Sequence, residues 1–507
     1  MGFNVERKEV HHKMSLFSAT AISATAMVGS GWLFSAQLNA KIAGNYAFLS
    51  WFLAGILVML VGLSLAQVVS VYPVRGATTR TSALSHNPLF GMPFAFANWF
   101  GLMVTIGTEA AATTQYLATA IKSHQLVDTN STLTTDGKIL SLAILVIYLF
   151  INYFGIRLLS KVNNIITILK IFTPLFTILL FLIGHFDSSN FSLASSNHVF
   201  GFSSAITAII SAGLIYSYNG FQLSVAFASE VKNPKRNIPL SIIISIIIVM
   251  AVYMLLQLSF MGAVPHDMLS TGWTSINFKS PLMNLATLLG LNFLATIIIT
   301  DSVISPSGTG YSYLGGSSRL LFAMAKEGQM PKWMITTLHP KYLICRRSIL
   351  INFILTGLIL WNSDSWESLM VVVTGYHIIG YMSAPISMGA IKPKTRIFGF
   401  IVFTILSLVM STLPKHDLLI TNLSLLIIML IYTFVQINRK ESGIKSILLI
   451  ATPFLVYLWL FYAWNNIYYL GILSGLFYIL ITSKRYVRFC RAYNQTSSEL
   501  TDSEFYK

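Results

Sequence analysis

Apolar residues run along this chain in long unbroken stretches, without the alternation of a half-buried strand or the single stripe of a surface helix. Fourteen such segments can be drawn, at about residues 15–38, 44–70, 89–121, 138–158, 162–184, 201–229, 238–262, 284–318, 348–362, 367–391, 397–413, 417–437, 446–464 and 466–483. Most approach the roughly 20 residues that carry a helix across the hydrocarbon of a bilayer. In hydrocarbon every backbone N–H and C=O must be paired within its own segment, so each stretch predicts an α-helix. The fold class predicted is all-α and membrane-integral. The longest stretch between segments is the Ala325–Arg347 loop, which leaves no room for a globular insertion.

Two segments break the uniform pattern. The first carries "SATAISATAMVGSGWLF" (Ser18–Phe34), where Gly29-Ser30-Gly31 interrupts the apolar run. Each glycine costs roughly 1 kcal/mol against alanine in a helix interior. The sixth carries "GLIYSYNGFQLSVAFASE" (Gly213–Glu230), with Ser217, Asn219 and Gln222 around Gly220. Two polar, glycine-containing interruptions five spans apart are the mark of paired half-helices in an inverted-repeat transporter. Segments 1–5 and 6–10 then form a 5+5 core over residues 15–391. Segments 11–14 (392–483) are accessory, between an N-terminal tail (1–14) and a C-terminal tail (484–507).

Composition agrees with a lipid solvent. Of 507 residues 55% are hydrophobic and only 10% charged, with a mean hydropathy of +0.70. A soluble chain of this size would lack the polar surface to stay dispersed. The net charge of +16 is a matter of topology. With the N-terminus inside, 27 of the 33 Lys and Arg fall on the cytoplasmic side, 5 fall outside, and Lys170 lies within a span. That is the positive-inside pattern, and it removes the case for a nucleic-acid partner. It predicts both termini in the cytoplasm.

The fourteen polar N-terminal residues precede a full-length span with no obvious cleavage site, which reads as a retained anchor. The tail from Lys484 is basic, then polar, and is expected to be partly disordered. The two cysteines, Cys345 and Cys490, imply no disulfide or metal framework. No HExxH, phosphate-binding loop, GxSxG or Cys/His cluster occurs, so neither an ATPase nor a membrane hydrolase is indicated.

Where a helix unwinds in hydrocarbon, the freed backbone groups need a polar cavity or ligand. A half-helix N-terminus with exposed N–H groups favours an anion such as an α-carboxylate. In the first break Ser30 adds a hydroxyl, while Gly29 and Gly31 let a ligand approach the backbone. A close helix–helix contact between small residues would leave the same pattern. In the sixth segment, carbonyls freed around Tyr216, Ser217 and Asn219 suit an α-ammonium. Tyr218 and Phe221 offer aromatic surface to close over a small ligand, or simply to pack.

Three charged residues lie inside spans. Lys170 sits in "ITILKIFTPLF", where a mid-span charge costs about 2.5–3.5 kcal/mol. It serves as a protonation switch, or it snorkels to the inner interface eight or nine residues away. Glu109, in "TIGTEAAATTQYL", and Asp301, in "IIITDSVISPSGTG", are carboxylates of the type that relay protons in transporters, or form structural hydrogen bonds. Near Asp301, Ser305, Ser307 and Thr309 supply further oxygens. His377 in segment 10 reads as a packing histidine, and "KNPKRN" as a solvated loop.

These motifs carry a family resemblance. "MVGSGWLF", then "YNGFQ" with "FASEVKNPKRNIPLSI" (Phe227–Ile242), then "SPSGTGYSYLGGSSRLLFAMAKEGQMPKW" (Ser305–Trp333), resemble in order and spacing the amino acid–polyamine–organocation (APC) transporters over residues 15–390. The match looks most like their bacterial branch that includes aspartate–proton symporters. The resemblance implies a leucine-transporter-like fold in a bacterial cytoplasmic membrane. An amino acid would bind between helices 1 and 6 and cross by alternating access, without covalent chemistry or a cofactor. By position it implies a carboxylate site at Val28, Gly29, Ser30 and Gly31, and an ammonium site at Tyr216, Ser217 and Asn219. It also implies that a lysine at the place of Lys170 stands in for the sodium ion of sodium-driven members. Where the family often has Glu, this chain has Gln222, which cannot ionise, so the resemblance does not carry over a proton-sensing role tied to that carboxylate.

Overall fold

The computed structural model describes residues 14–72, 77–121, 125–154, 159–191, 200–226, 231–326, 329–330, 345–438, 444–464 and 466–495. Helices occupy every predicted apolar segment. They are α1 (Leu16–Met27, α1a, and Gly31–Ala43, α1b), α2 (Ala47–Val69), α3 (Pro88–Ala120), α4 (Thr135–Phe154) and α5 (Leu159–His185). The second five are α6 (Phe202–Ser211, α6a, and Leu223–Ala226, α6b), α7 (Pro234–Ala263), α8 (Asn292–Lys326), α9 (Arg346–Trp361) and α10 (Trp366–Ile391). Then follow α11 (Arg396–Met410), α12 (Lys415–Asn438), α13 (Ile444–Ala463), α14 (Ile467–Thr482) and a terminal α15 (Lys484–Gln495). Two isolated bridges are the only β-type pairing among the described residues.

Among the described residues eight helical stretches, the run Gly31–Val69 counted as one, are long and apolar enough to cross a bilayer, or nine if the bent pair α14–α15 counts as one. That is fewer than the fourteen segments, and the shortfall has physical causes. The halves α1a and α6a fall short because their helices are broken, and α9 has only 16 residues.

Burial sorts the helices into two layers. α3 and α10 have 89% of their most apolar window buried, against 33% for α4, α5 and α12. The outer helices expose Ile147, Phe172, Ile248 and Leu430, side chains that only lipid would solvate well. α3 packs most extensively on α10 and α8, and α7 lies against α2, α1a and α5.

Both predicted breaks are present. α1a ends at Met27, Val28 leaves helical geometry (φ −87°, ψ 85°), and α1b restarts at Gly31. In the sixth span the chain turns at Gly213 (φ +71°), makes one turn over Leu214–Ser217, and turns again at Gly220 (φ +117°). Both positive φ values suit glycine. The two breaks touch. A Cβ on Gly220 would lie 2.6 Å from the Ala26 carbonyl carbon, and one on Gly31 would lie 3.1 Å from the Ser217 Cα.

The described part of the tail from residue 484 is helical, over residues 484–495, with its four basic side chains exposed and Val487 and Cys490 buried. It docks on the short helix Ala77–Ser85 and the residues after it. Asn87 donates to the Cys490 carbonyl at 3.0 Å and Arg491 to that of Ser85 at 3.0 Å. Amphipathic spacing of Tyr486, Val487 and Cys490 overrides the polar composition there.

Candidate functional site

The site forms where α1b begins. Its first N–H groups have no partner within the helix and point toward α3. Glu109, on α3 and 1% exposed, fills that position. The Ser30 N–H donates to its Oε2 at 3.0 Å, and the Tyr216 hydroxyl donates to its Oε1 at 2.8 Å. Gly29 is what permits this approach, since a Cβ there would stand 2.8 Å from Glu109 Oε1. The same Cβ would lie 3.6 Å from Thr309 Oγ1 of α8.

Thr309, beside the same glycine, is the partner of the lysine. Lys170 is 6% exposed and donates from Nζ to Thr309 Oγ1 at 2.6 Å, so it turns into the bundle and does not snorkel to the interface. Its charge interacts with both Glu109 and Asp301. Asp301 is 1% exposed, and neither carboxylate oxygen has a hydrogen-bond partner among the described residues. Glu109, Lys170 and Asp301 are thus three buried ionisable side chains, one each on α3, α5 and α8.

The sixth-span break contributes differently. The carbonyls of Tyr216 and Ser217 are occupied, by the Asn219 N–H at 3.0 Å and the Tyr253 hydroxyl at 3.1 Å. Tyr253, on α7, also reaches the Met27 carbonyl at 2.8 Å, so a single hydroxyl bridges the two breaks. Ser217 Oγ lies 3.0 Å from Ser35 Oγ of α1b. Asn219 keeps a buried amide nitrogen without a partner among the described residues.

A small cavity of about 10 Å³, room for about one water, lies between the breaks, lined by Gly29, Gly31, Glu109, Tyr216, Ser217 and Asn219 among others. Four expected residues, Val28, Ser30, Tyr218 and Gln222, do not line it. Tyr218 is fully buried against Trp51 and Tyr253 and donates to the Trp51 carbonyl, because Gly220 turns the chain after it has packed inward. Gln222 lies past that turn and reaches only Asn219, at 3.4 Å. Val28 shapes the break without lining the cavity, and Ser30 acts through its backbone N–H and its hydroxyl.

Toward the outer ends of α1b, α3 and α10 the cavity is roofed by aromatics. Phe34 stacks on Trp366 at 4.3 Å, Tyr116 meets Phe34 edge-on at 5.3 Å, and Trp366 donates to Ser30 Oγ at 2.9 Å. Beyond this roof lies a second cavity of about 80 Å³ beside Gln37, Gln115 and Glu367. Trp366, Tyr253 and Tyr116 escaped the reading of the sequence, since nothing separates them there from any other aromatic in a span. His377 is buried and stacks on Tyr381, but neither ring nitrogen has a hydrogen-bond partner among the described residues, so the expected hydrogen-bonded packing is only half met. Residues 227–230, at the start of the loop motif after the sixth span, lie outside the described residues.

A bundle with two facing broken helices, a backbone anion site and a buried titratable group defines a membrane carrier. The chain belongs to the amino acid permease family, whose model matches residues 14–482. It is 33% identical to the glutamate/serine transporter AimA of Bacillus subtilis, over 76% of this chain and 72% of that one. It is 34% identical to the aspartate-proton symporter of the same organism, over 76% and 73% of the two chains. Among solved structures, the manganese transporter of Eremococcus coleocola superposes with a TM-score of 0.52 at 13% identity, covering 83% of this chain and 93% of that one. The fold is all-α and leucine-transporter-like, and the family is one of transporters and not of enzymes.

Proposed function

We propose that this protein is a proton-coupled symporter that carries an amino acid across the cytoplasmic membrane by alternating access, with both termini inside. The observation that carries the reading is the buried Glu109 on the Ser30 N–H at the start of α1b, beside the same glycine as Thr309, which holds Lys170. The backbone there binds a carboxylate, and the ionisable groups beside it can gain and lose a proton. Ser30 with Gly29 and Gly31 receives the substrate carboxylate, while Ser217, Asn219 and Tyr216 face its ammonium.

Lys170 favours protons over sodium as the driving ion, since an ammonium on Thr309 repels a cation from the same place. The core is residues 15–391, with 392–483 accessory. No cofactor takes part.

Purified protein in proteoliposomes tests the proposal. An imposed inward pH gradient should drive accumulation of at least one labelled amino acid, with glutamate, aspartate and serine first in the panel because the relatives' names point to them. Accumulation that needs a sodium gradient would refute proton coupling. Uptake only against an internal amino acid would make the protein an exchanger. Binding without any uptake would make it a sensor.

A further inference from the structure

The α1b N-terminus is already occupied by a carboxylate of the protein's own. We infer that Glu109 is a tethered competitor: its ionised side chain holds the place of the substrate carboxylate, and substrate binds only when protonation releases it. This rests on the substrate site proposed above and adds how that site is regulated.

The geometry makes the two carboxylates mutually exclusive. Ser30 N–H is the donor a bound carboxylate would use, and Glu109 takes it with both oxygens, at 3.0 and 3.4 Å. The Tyr216 hydroxyl also donates to Glu109, at Oε1 and 2.8 Å, and so holds the side chain in that place. Gly29 has no space for even a Cβ beside that oxygen. Glu109 also lines the cavity itself, so it is a wall of the site and part of its contents at once. A protonated carboxyl is a weaker acceptor for those donors, and it relieves the repulsion between two anions at one helix N-terminus.

Among the groups that face Glu109, Lys170 on α5 can change charge, and it stays paired with Thr309. Asp301 on α8 interacts with that lysine. Tyr216 on α6, Tyr253 on α7, Tyr313 on α8 and Tyr148 on α4 contribute phenols, which stay neutral over the range tested. The Trp366 of α10 is neutral, and His377 meets α3 only at Gly101, two turns away. Substrate binding is thereby linked to uptake of one proton at Glu109, so affinity falls as pH rises.

Equilibrium binding to the full chain in nanodiscs, between pH 5.5 and 8.5, tests this with an amino acid that the wild type binds. The wild type should lose affinity by about tenfold per pH unit on the alkaline side, the slope of a single linked proton. Glu109→Gln, nearly isosteric and unable to ionise, should show no such slope. Glu109→Asp keeps an acid but shortens its reach, and at pH 8.5 should bind at least about tenfold tighter than wild type. If either variant keeps the wild-type slope and affinity, the competitor role is wrong and only a distant charge effect remains.

A second arm needs no amino acid. Acetate should raise the melting temperature of Glu109→Ala and leave that of the wild type unchanged, because only the variant has a vacant α1b N-terminus. No acetate effect on Glu109→Ala would overturn the inference. Acetate stabilisation together with no amino acid binding by the wild type would overturn the substrate reading and leave Glu109 as the occupant of an anion site.

Discussion

The two helix breaks face each other but are satisfied by different chemistry. At the first, the exposed groups are N–H donors, and their partner is a carboxylate on another helix, Glu109. At the second, the exposed groups are carbonyls, and their partners are neutral: the Asn219 N–H and the Tyr253 hydroxyl. A charged partner can be switched off by one proton, whereas a neutral hydroxyl cannot. The first break is therefore suited to coupling, and the second to holding shape while the ligand's ammonium is read. Changes at the first should alter binding and proton dependence, and changes at the second should alter stability.

The largest effect is expected where the breaks touch. A Cβ on Gly31 already meets Ser217 at its Cα, so Gly31→Leu drives a side chain into the cavity. Overpacking of this kind costs about 1–3 kcal/mol, roughly 5- to 150-fold in affinity. Blocked access to the helix N-terminus adds to that, and binding should be lost in a calorimetric titration. A variant that elutes as a single species and binds normally would remove Gly31 from the site.

Next comes the charge that faces the first break. Lys170→Met should abolish accumulation driven by the pH gradient while counterflow of labelled for unlabelled substrate continues, because the breaks keep their geometry. Both are read in proteoliposomes. Unchanged coupling would confine Lys170 to packing against Thr309.

How much of this was legible in the sequence follows the same division. The breaks were legible because Gly29, Gly31 and Gly220 are local signals that hydrocarbon tolerates only for a reason. Glu109, Lys170 and Asp301 stood out because a charge within a span is itself conspicuous. What each one touches was not legible. Glu109 reaches Ser30 across 79 positions and Tyr216 across 107, and Trp366 reaches Ser30 across 336. Tyr218 and Gln222 looked equivalent to Ser217 and Asn219 by spacing. The turn at Gly220, with the packing of Tyr218 on Trp51, separates them in space.

A smaller effect tests the neutral side of the comparison. Tyr253→Phe removes the hydroxyl that serves both the Met27 and Ser217 carbonyls and leaves the ring to pack on Trp51. An unsatisfied buried carbonyl costs about 1–3 kcal/mol. The melting temperature should therefore fall, with the pH dependence of binding unchanged. A shifted pH dependence would show that the two breaks share a titrating network, and the division drawn here would fail.

The smallest effect is expected at Gln222. Its family-like position invites a role in proton sensing, yet its amide reaches only Asn219, at 3.4 Å, and it lies outside the cavity. Gln222→Leu deletes one long hydrogen bond from a half-buried side chain to the buried Asn219, worth no more than about 0.5–1.5 kcal/mol. Uptake should stay within about tenfold of wild type, with the same dependence on pH. Gln222→Glu is the sharper version, because it restores an acid at the sixth-span break while Glu109 stays in place. If Glu109 is the group whose proton counts, Gln222→Glu should leave the number of protons taken up per substrate unchanged. That number can be read from binding enthalpies in buffers of differing ionisation heat, and an additional proton would show that the second break can also be made to titrate.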